Sequence, residues 1–140
     1  MSWATVVAVA AAFVLLGAGT AGCGFEPQSP DLFLLTRSGE GTKLTLLVNS
    51  GGTIRCNGGS SRPLSDPLLL QARGLATQLD TDAQAHLRIA VPANSVFRYT
   101  VRLPDGTISF PDTAADTHQE LAQAEQFTVR AAQQVCGLSA

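Results

Sequence analysis

Two periodicities divide this chain. Apolar side chains recur at every second position along residues 31–56 and again along 96–110, the spacing of strands with one buried face. Along residues 66–79 and 118–135 they recur every third or fourth position, the spacing of helices with one buried stripe. Asp31 to Arg37, with Leu32, Phe33, Leu34 and Leu35, predicts a first strand, and Ser38-Gly39-Glu40-Gly41 a turn. Leu44, Leu46 and Val48 then alternate with Thr45, Leu47 and Asn49, as in a mostly buried second strand. After Ser50-Gly51-Gly52, Thr53 to Cys56 predicts a short third strand with Ile54 and Cys56 on one face. Asn57 to Ser61 predicts a flexible loop.

Ser65-Asp66-Pro67 opens a helix, with Asp66 as its cap and Pro67 at the first helical position. Leu68, Ala72, Leu75 and Leu79 share one face of it. Residues 80–92 give only a helical turn and an extended connection. The clearest strand is Val96 to Leu103, where Phe97, Tyr99, Val101 and Leu103 point one way and Arg98, Thr100 and Arg102 the other. Pro104-Asp105-Gly106 is a hairpin turn that returns the chain with Ile108 and Phe110 inward. A last helix runs from His118 to about Val135, with Thr117 and Glu120 as a capping box and Gly137 as its terminator. The order is β-β-β-α-β-β-α. An α+β fold, an antiparallel sheet of four to five strands with two helices packed on one face, buries every apolar stripe.

The front of the chain follows neither periodicity. No charge occurs from Trp3 to Gly22, and Ala4 to Leu16 is almost wholly apolar, as the core of a signal peptide is. Small residues follow, ending in Thr20-Ala21-Gly22-Cys23. This run resembles the lipobox of bacterial lipoproteins, which implies cleavage before Cys23 and acylation of that cysteine. Two features depart from the pattern: Thr20 stands where an aliphatic residue is usual, and Met1-Ser2-Trp3 carries no Lys or Arg. A conventional signal cut near Ala21 and an uncleaved membrane anchor are the competing readings, since about 20 apolar residues can span a bilayer. The expected organisation is a signal peptide over 1–22, a lipidated cysteine and tether over 23–30, and a single α+β domain over 31–140. The location that goes with it is the outer side of the cell membrane, with secretion as the alternative.

Cysteine number bears on the same question. The three are Cys23, Cys56 and Cys136, and an odd count leaves one thiol unpaired in an oxidising compartment. Lipidation of Cys23 removes it and leaves Cys56 and Cys136 as a pair. Their bridge would close a loop of about 80 residues, worth about 4.5 kcal/mol in the chain-entropy model. Two buried, reduced cysteines are the alternative.

Charge changes the picture mainly by exclusion. The nine Lys and Arg and eleven Asp and Glu all lie after Cys23, and the net charge is −2. There is no basic footprint for nucleic acid and no polybasic stripe for anionic lipid. No CxxC or HxxxH spacing offers a metal site, and no GxSxG elbow or phosphate loop occurs, so no cofactor is expected. Asp80 and Asp82 lack the glycine and distal glutamate of a calcium loop. His86 and His118 are the only histidines, and His118 with Glu120 reads as a solvated helix start before it reads as half of an acid-base site. Arg98 and Arg102, joined by Arg55 if the third strand lies nearby, form a candidate docking surface for an acidic partner. An exposed face that merely keeps a sheet soluble has the same pattern.

The hairpin, helix, hairpin, helix layout resembles emfourin, a small bacterial family of metalloprotease inhibitors. The likeness rests on Thr36-Arg37-Ser38-Gly39 at the end of the first strand and on Phe97-Arg98-Tyr99-Thr100-Val101 before a hairpin and terminal helix. The short strand at Thr53–Cys56 and the two cysteines depart from it. It implies no functional residue here, only a small module that binds another protein. Taken together, the sequence predicts a non-catalytic, membrane-tethered binder of an envelope protein or peptide. The alternatives are a structural subunit of an envelope assembly and a cryptic enzyme using His86 or His118.

Overall fold

The computed structural model describes residues 31–139. The expected signal peptide, Cys23, the tether to Pro30 and the final Ala140 lie outside the described residues. Six strands form one sheet: β1 (Asp31–Gly39), β2 (Thr42–Asn49), β3 (Thr53–Cys56), β4 (Ser61–Pro63), β5 (Arg98–Leu103) and β6 (Gly106–Pro111). Two helices, α1 (Asp66–Gln84) and α2 (Gln119–Ala131), complete it, with a 3-10 turn at Asp112–Asp116 and a π-turn at Ala132–Cys136. The strand order is β4-β3-β2-β1-β5-β6, antiparallel throughout. The chain's first strand is thus central, with a meander growing on one side of it and the second hairpin on the other. The class is α+β, as the two periodicities predict.

Alternation decides which face is covered. Phe33 and Leu35 of β1, Leu44, Leu46 and Val48 of β2, Ile54 of β3, Tyr99, Val101 and Leu103 of β5, and Ile108 and Phe110 of β6 are all buried on one side. Against them lie Leu68, Ala72, Leu75, Leu79 and Ala83 of α1 and Leu121, Ala124, Phe127 and Ala131 of α2. Phe33 meets Phe127 edge-on at 5.6 Å between ring centroids, and Tyr99 stacks on Phe110 at 5.2 Å. The first contact ties α2 to the central strand, and the second joins β5 to β6 within the sheet. Gly106 sets how closely the β5–β6 turn approaches α1, because an added Cβ would collide with the Ala83 carbonyl oxygen.

Several local expectations need correction. The sheet has six strands, not four or five, because Ser61, expected to end a loop, instead opens the short strand Ser61–Pro63 that pairs with β3. Three exposed residues including a proline give no strand signal, and Pro63 is tolerated because β4 is an edge. Helix α1 runs on to Gln84, since Ala83 continues the stripe one turn past Leu79 with too small a side chain to announce it. Ser65 and not Asp66 is its N-cap residue, leaving Asp66 as the acid of the first turn, where the helix dipole favours it. The capping box at Thr117 does not form. The 3-10 turn makes Thr117 its own C-terminal residue, with φ −121° and ψ −10°, and the Thr117 hydroxyl donates back to the Ala114 carbonyl. His118 is therefore the N-cap of α2, whose first helical residue is Gln119. Strand β5 begins at Arg98, because Val96 and Phe97 donate their N–H groups to Asp112 instead of to a neighbouring strand.

Cys56 and Cys136 are joined by a disulfide, their Cα atoms 5.9 Å apart. Cys56 shares the inward face with Ile54, and the π-turn after α2 brings Cys136 over it. Beside the bridge, the Arg62 guanidinium donates to the Val135 carbonyl at 2.8 Å. Gly137, at φ 66°, then closes the helix in the left-handed conformation, and the Leu138 N–H reaches back to the Ala132 carbonyl.

Candidate functional site

Because both helices cover the same face, no described element packs on the other, open face of the sheet, and its residues follow from register alone. Arg55 of β3 pairs with Leu47 of β2, Leu47 with Leu34 of β1, and Leu34 with Arg102 of β5. One row across four strands therefore reads Arg, Leu, Leu, Arg. Its two ends are three strand spacings apart, about 14 Å between backbones. One pleat along, Thr45, Thr36, Thr100 and Ser109 form a second row. A further pleat along, Lys43, Ser38 and Arg98 form a third. Arg98 and Arg102 are four residues apart on β5, again about 14 Å.

The sequence expectation puts Arg98 and Arg102 on one surface and adds Arg55 only if the third strand lies nearby; register puts all three side chains on the open face. Arg55 is not next to Arg98 and Arg102, however, because β2 and β1 lie between. Four further contributors escaped it. Lys43 and Arg88 add positive charge, and Arg88 reaches this face through a parallel bridge to Ser109 at the β6 edge. Leu34 and Leu47, both half-buried, form the floor between the arginines. Leu47 already broke the alternation of β2, which was the one available signal. Beside this floor a depression of about 190 Å³ opens at Leu32, Leu34, Leu47, Arg102 and Pro104. All five cations are exposed, and among the described residues none has a carboxylate within ion-pair distance.

The helix side carries the acids. Glu125 of α2 lines a depression of about 520 Å³ with Tyr99, Asp116 and Arg130. Its Oε1 is buried without a hydrogen-bond partner. Burial, helped by the charges of Asp112 and Asp116, pushes its carboxyl up to about 7. Burial also pushes the Tyr99 phenol up to about 12, with Glu125 adding to the rise and Arg37 opposing it. Asp112 behaves in the opposite way. Burial would raise it, but hydrogen bonds from the Ser95 hydroxyl and the N–H groups of Phe97, Val96 and Thr113 outweigh that and hold it below the usual carboxylate range.

The histidines do not converge. His118 lies at the α1–α2 seam, where it lowers the carboxyl of Asp82 against the larger upward effects of burial and Glu120. His86 follows α1 in a left-handed conformation at φ 51°, beside Gly106. Among the described residues no three His, Cys, Asp or Glu side chains are grouped so as to hold a metal ion. No described helix is long and apolar enough to cross a membrane.

Fold and surface together define a two-layer α+β module with one covered and one open sheet face. No protein-family model matches the chain, and neither a curated protein nor a solved structure is significantly similar to it.

Proposed function

We propose that this protein is a non-catalytic binding module of the bacterial envelope, tethered by a lipid on Cys23, that presents its open sheet face to another protein or peptide. The observation that carries this reading is the row Arg55–Leu47–Leu34–Arg102, an apolar floor between cations that no described helix or strand covers. Interfaces have this composition, an apolar centre within a polar rim in which arginine is enriched. The tether agrees with the odd cysteine, since the disulfide uses Cys56 and Cys136 and leaves Cys23 for acylation. The emfourin-like layout supports a narrower form, in which the bound protein is inhibited.

The test is photo-crosslinking in the native envelope from an unnatural residue at Thr36, in the middle of the open face, with Gln78 on the exposed side of α1 as control. A discrete adduct from position 36 and none from 78 is expected. Equal adducts from both positions, or none, would overturn the reading.

A further inference from the structure

We infer that the partner of the open face is a short acidic polypeptide segment, whose carboxylates meet the surrounding cations while an apolar side chain rests on Leu34 and Leu47. This rests on the reading of the open face as a binding surface and adds the chemistry of what binds.

The first argument is charge segregation. The chain as a whole is slightly acidic, yet Lys43, Arg55, Arg88, Arg98 and Arg102 all project from one sheet face. The one described carboxylate aligned with them is Asp31, which lines the depression beside Leu34, Leu47 and Arg102 and accepts a hydrogen bond from Asn49. By contrast α1, the 3-10 turn and α2 together hold seven carboxylates against two arginines, Arg73 and Arg130. A face that needs only solubility is served by interspersed signs. Cations gathered on one face repel each other, and among the described residues no carboxylate lies within ion-pair distance of them. An anionic partner supplies it.

The second argument is shape and size. Arg55 and Arg102 end the row that holds the half-buried Leu34 and Leu47, Lys43 and Arg98 stand beyond the three threonines on one side, and Asp31 and Asn49 border the leucines on the other. From β3 to β6 the face is about 19 Å wide, and the rim levels are about 14 Å apart along the strands. That area is well below the roughly 800 Å² per partner of a standard stable interface, which points to a segment instead of a whole domain face. A membrane surface fits less well. Membrane-binding faces put large apolar and aromatic side chains outermost, whereas here the leucines lie beneath the arginines and the strands place no aromatic on this side. A second copy could offer its acidic helix layer, but that contact is head-to-tail and would build a ring or a filament, not the two-fold dimer commonest among oligomers.

The experiment uses the full chain in mild detergent and a fluorescent peptide in which glutamate pairs flank a Leu-Leu step, with its lysine counterpart as control. The acidic peptide should bind and the basic one should not. Binding should weaken about tenfold or more in Arg55→Glu and in Arg102→Glu, since each change replaces an attraction with a repulsion. It should weaken with salt, because the rim is exposed. Arg73→Gln, on the helix layer, should leave it unchanged, and an unaltered unfolding midpoint in each variant excludes misfolding as the cause. Equal binding of both peptides, or indifference to Arg102→Glu, overturns the inference. So does charge-dependent binding to phosphatidylglycerol vesicles without peptide binding, or Arg102-dependent self-association in the ultracentrifuge. If position 36 still yields its crosslinked adduct in the Arg55→Glu and Arg102→Glu variants, the binding module stands and only the acidic partner falls.

Discussion

Removing the Cys56–Cys136 bridge should be the most damaging small change available to this fold. The two cysteines are 80 residues apart, so the bridge closes most of the domain into one loop. The chain-entropy model gives about 4.5 kcal/mol for a loop of that length. Domains of this size have about 5–15 kcal/mol in total, so the loss is a large fraction. What remains to hold the end of α2 to the meander is apolar packing and the hydrogen bond from Arg62 to Val135, a single contact of about 1 kcal/mol. Cys56→Ala, Cys136→Ala and the double variant remove the same bond, so all three should be destabilised about equally, not additively. Because the effect lies mainly in the unfolded chain, the urea dependence should also steepen as that chain expands. The assay is urea unfolding with and without reductant, followed by far-ultraviolet circular dichroism, since the only tryptophan is Trp3. Coincident oxidised and reduced curves, or single-variant losses that sum in the double, would refute this reasoning. Two free thiols by mass spectrometry of the non-reduced protein would do so more directly.

Glu125 should make stability fall with pH. Its carboxyl is raised to about 7 in the fold, so the stabilisation from its protonated form is complete below about pH 4.5 and is lost as pH rises through about 7. A full shift of this size corresponds to about 3 kcal/mol, and partial exposure reduces that to about 1–2 kcal/mol. Glu125→Gln should therefore be more stable than wild type at pH 8 and flatter between pH 5 and 8, and thermal unfolding at the two pH values checks it. Asp112 should act with the opposite sign, its contribution present above the usual carboxylate range and lost as pH falls through its depressed value. Asp112→Ala, which strands the Val96 and Phe97 N–H groups, should cost about 1–3 kcal/mol near neutrality, as urea unfolding would show. Cys23→Ser should abolish incorporation of a fatty-acid analogue, and equal labelling of both proteins would count against the tether.

The elements were legible where periodicity was strong and side chains were large. Phe97 to Leu103 and Leu68 to Leu79 each declare one buried face, and Ile54 with Cys56 declares the face from which the bridge departs. Strand order was not legible, because β1 pairs with β5 across more than sixty residues of chain and no local signal records that partner. The open face was half legible for the same reason. Alternation assigns Arg98 and Arg102 to the side opposite Tyr99, but only register puts Leu34 and Leu47 between Arg102 and Arg55. Glu125 carried no signal at all. Its sequence neighbours describe a helix stripe, whereas its chemistry comes from Tyr99 on β5 and from Asp112 and Asp116 in the 3-10 turn.

The central position of β1 has a mechanical meaning. The described domain begins at Asp31, so any pull transmitted from the preceding residues enters at β1 and not at an edge. Edge strands peel away one hydrogen bond at a time, as a zip opens. Strand β1 is flanked by β2 and β5, with partners along nearly its whole length on one side and from Leu34 to Ser38 on the other. Tension along it loads both ladders in shear, so many bonds must fail together. Cys56 and Cys136 both lie outside this path, which leaves the resistance to the two ladders and the aromatic contact of Phe33 with Phe127. A load on the Arg102 side of the open face would then be resisted, against the preceding residues, through a strand paired on both sides.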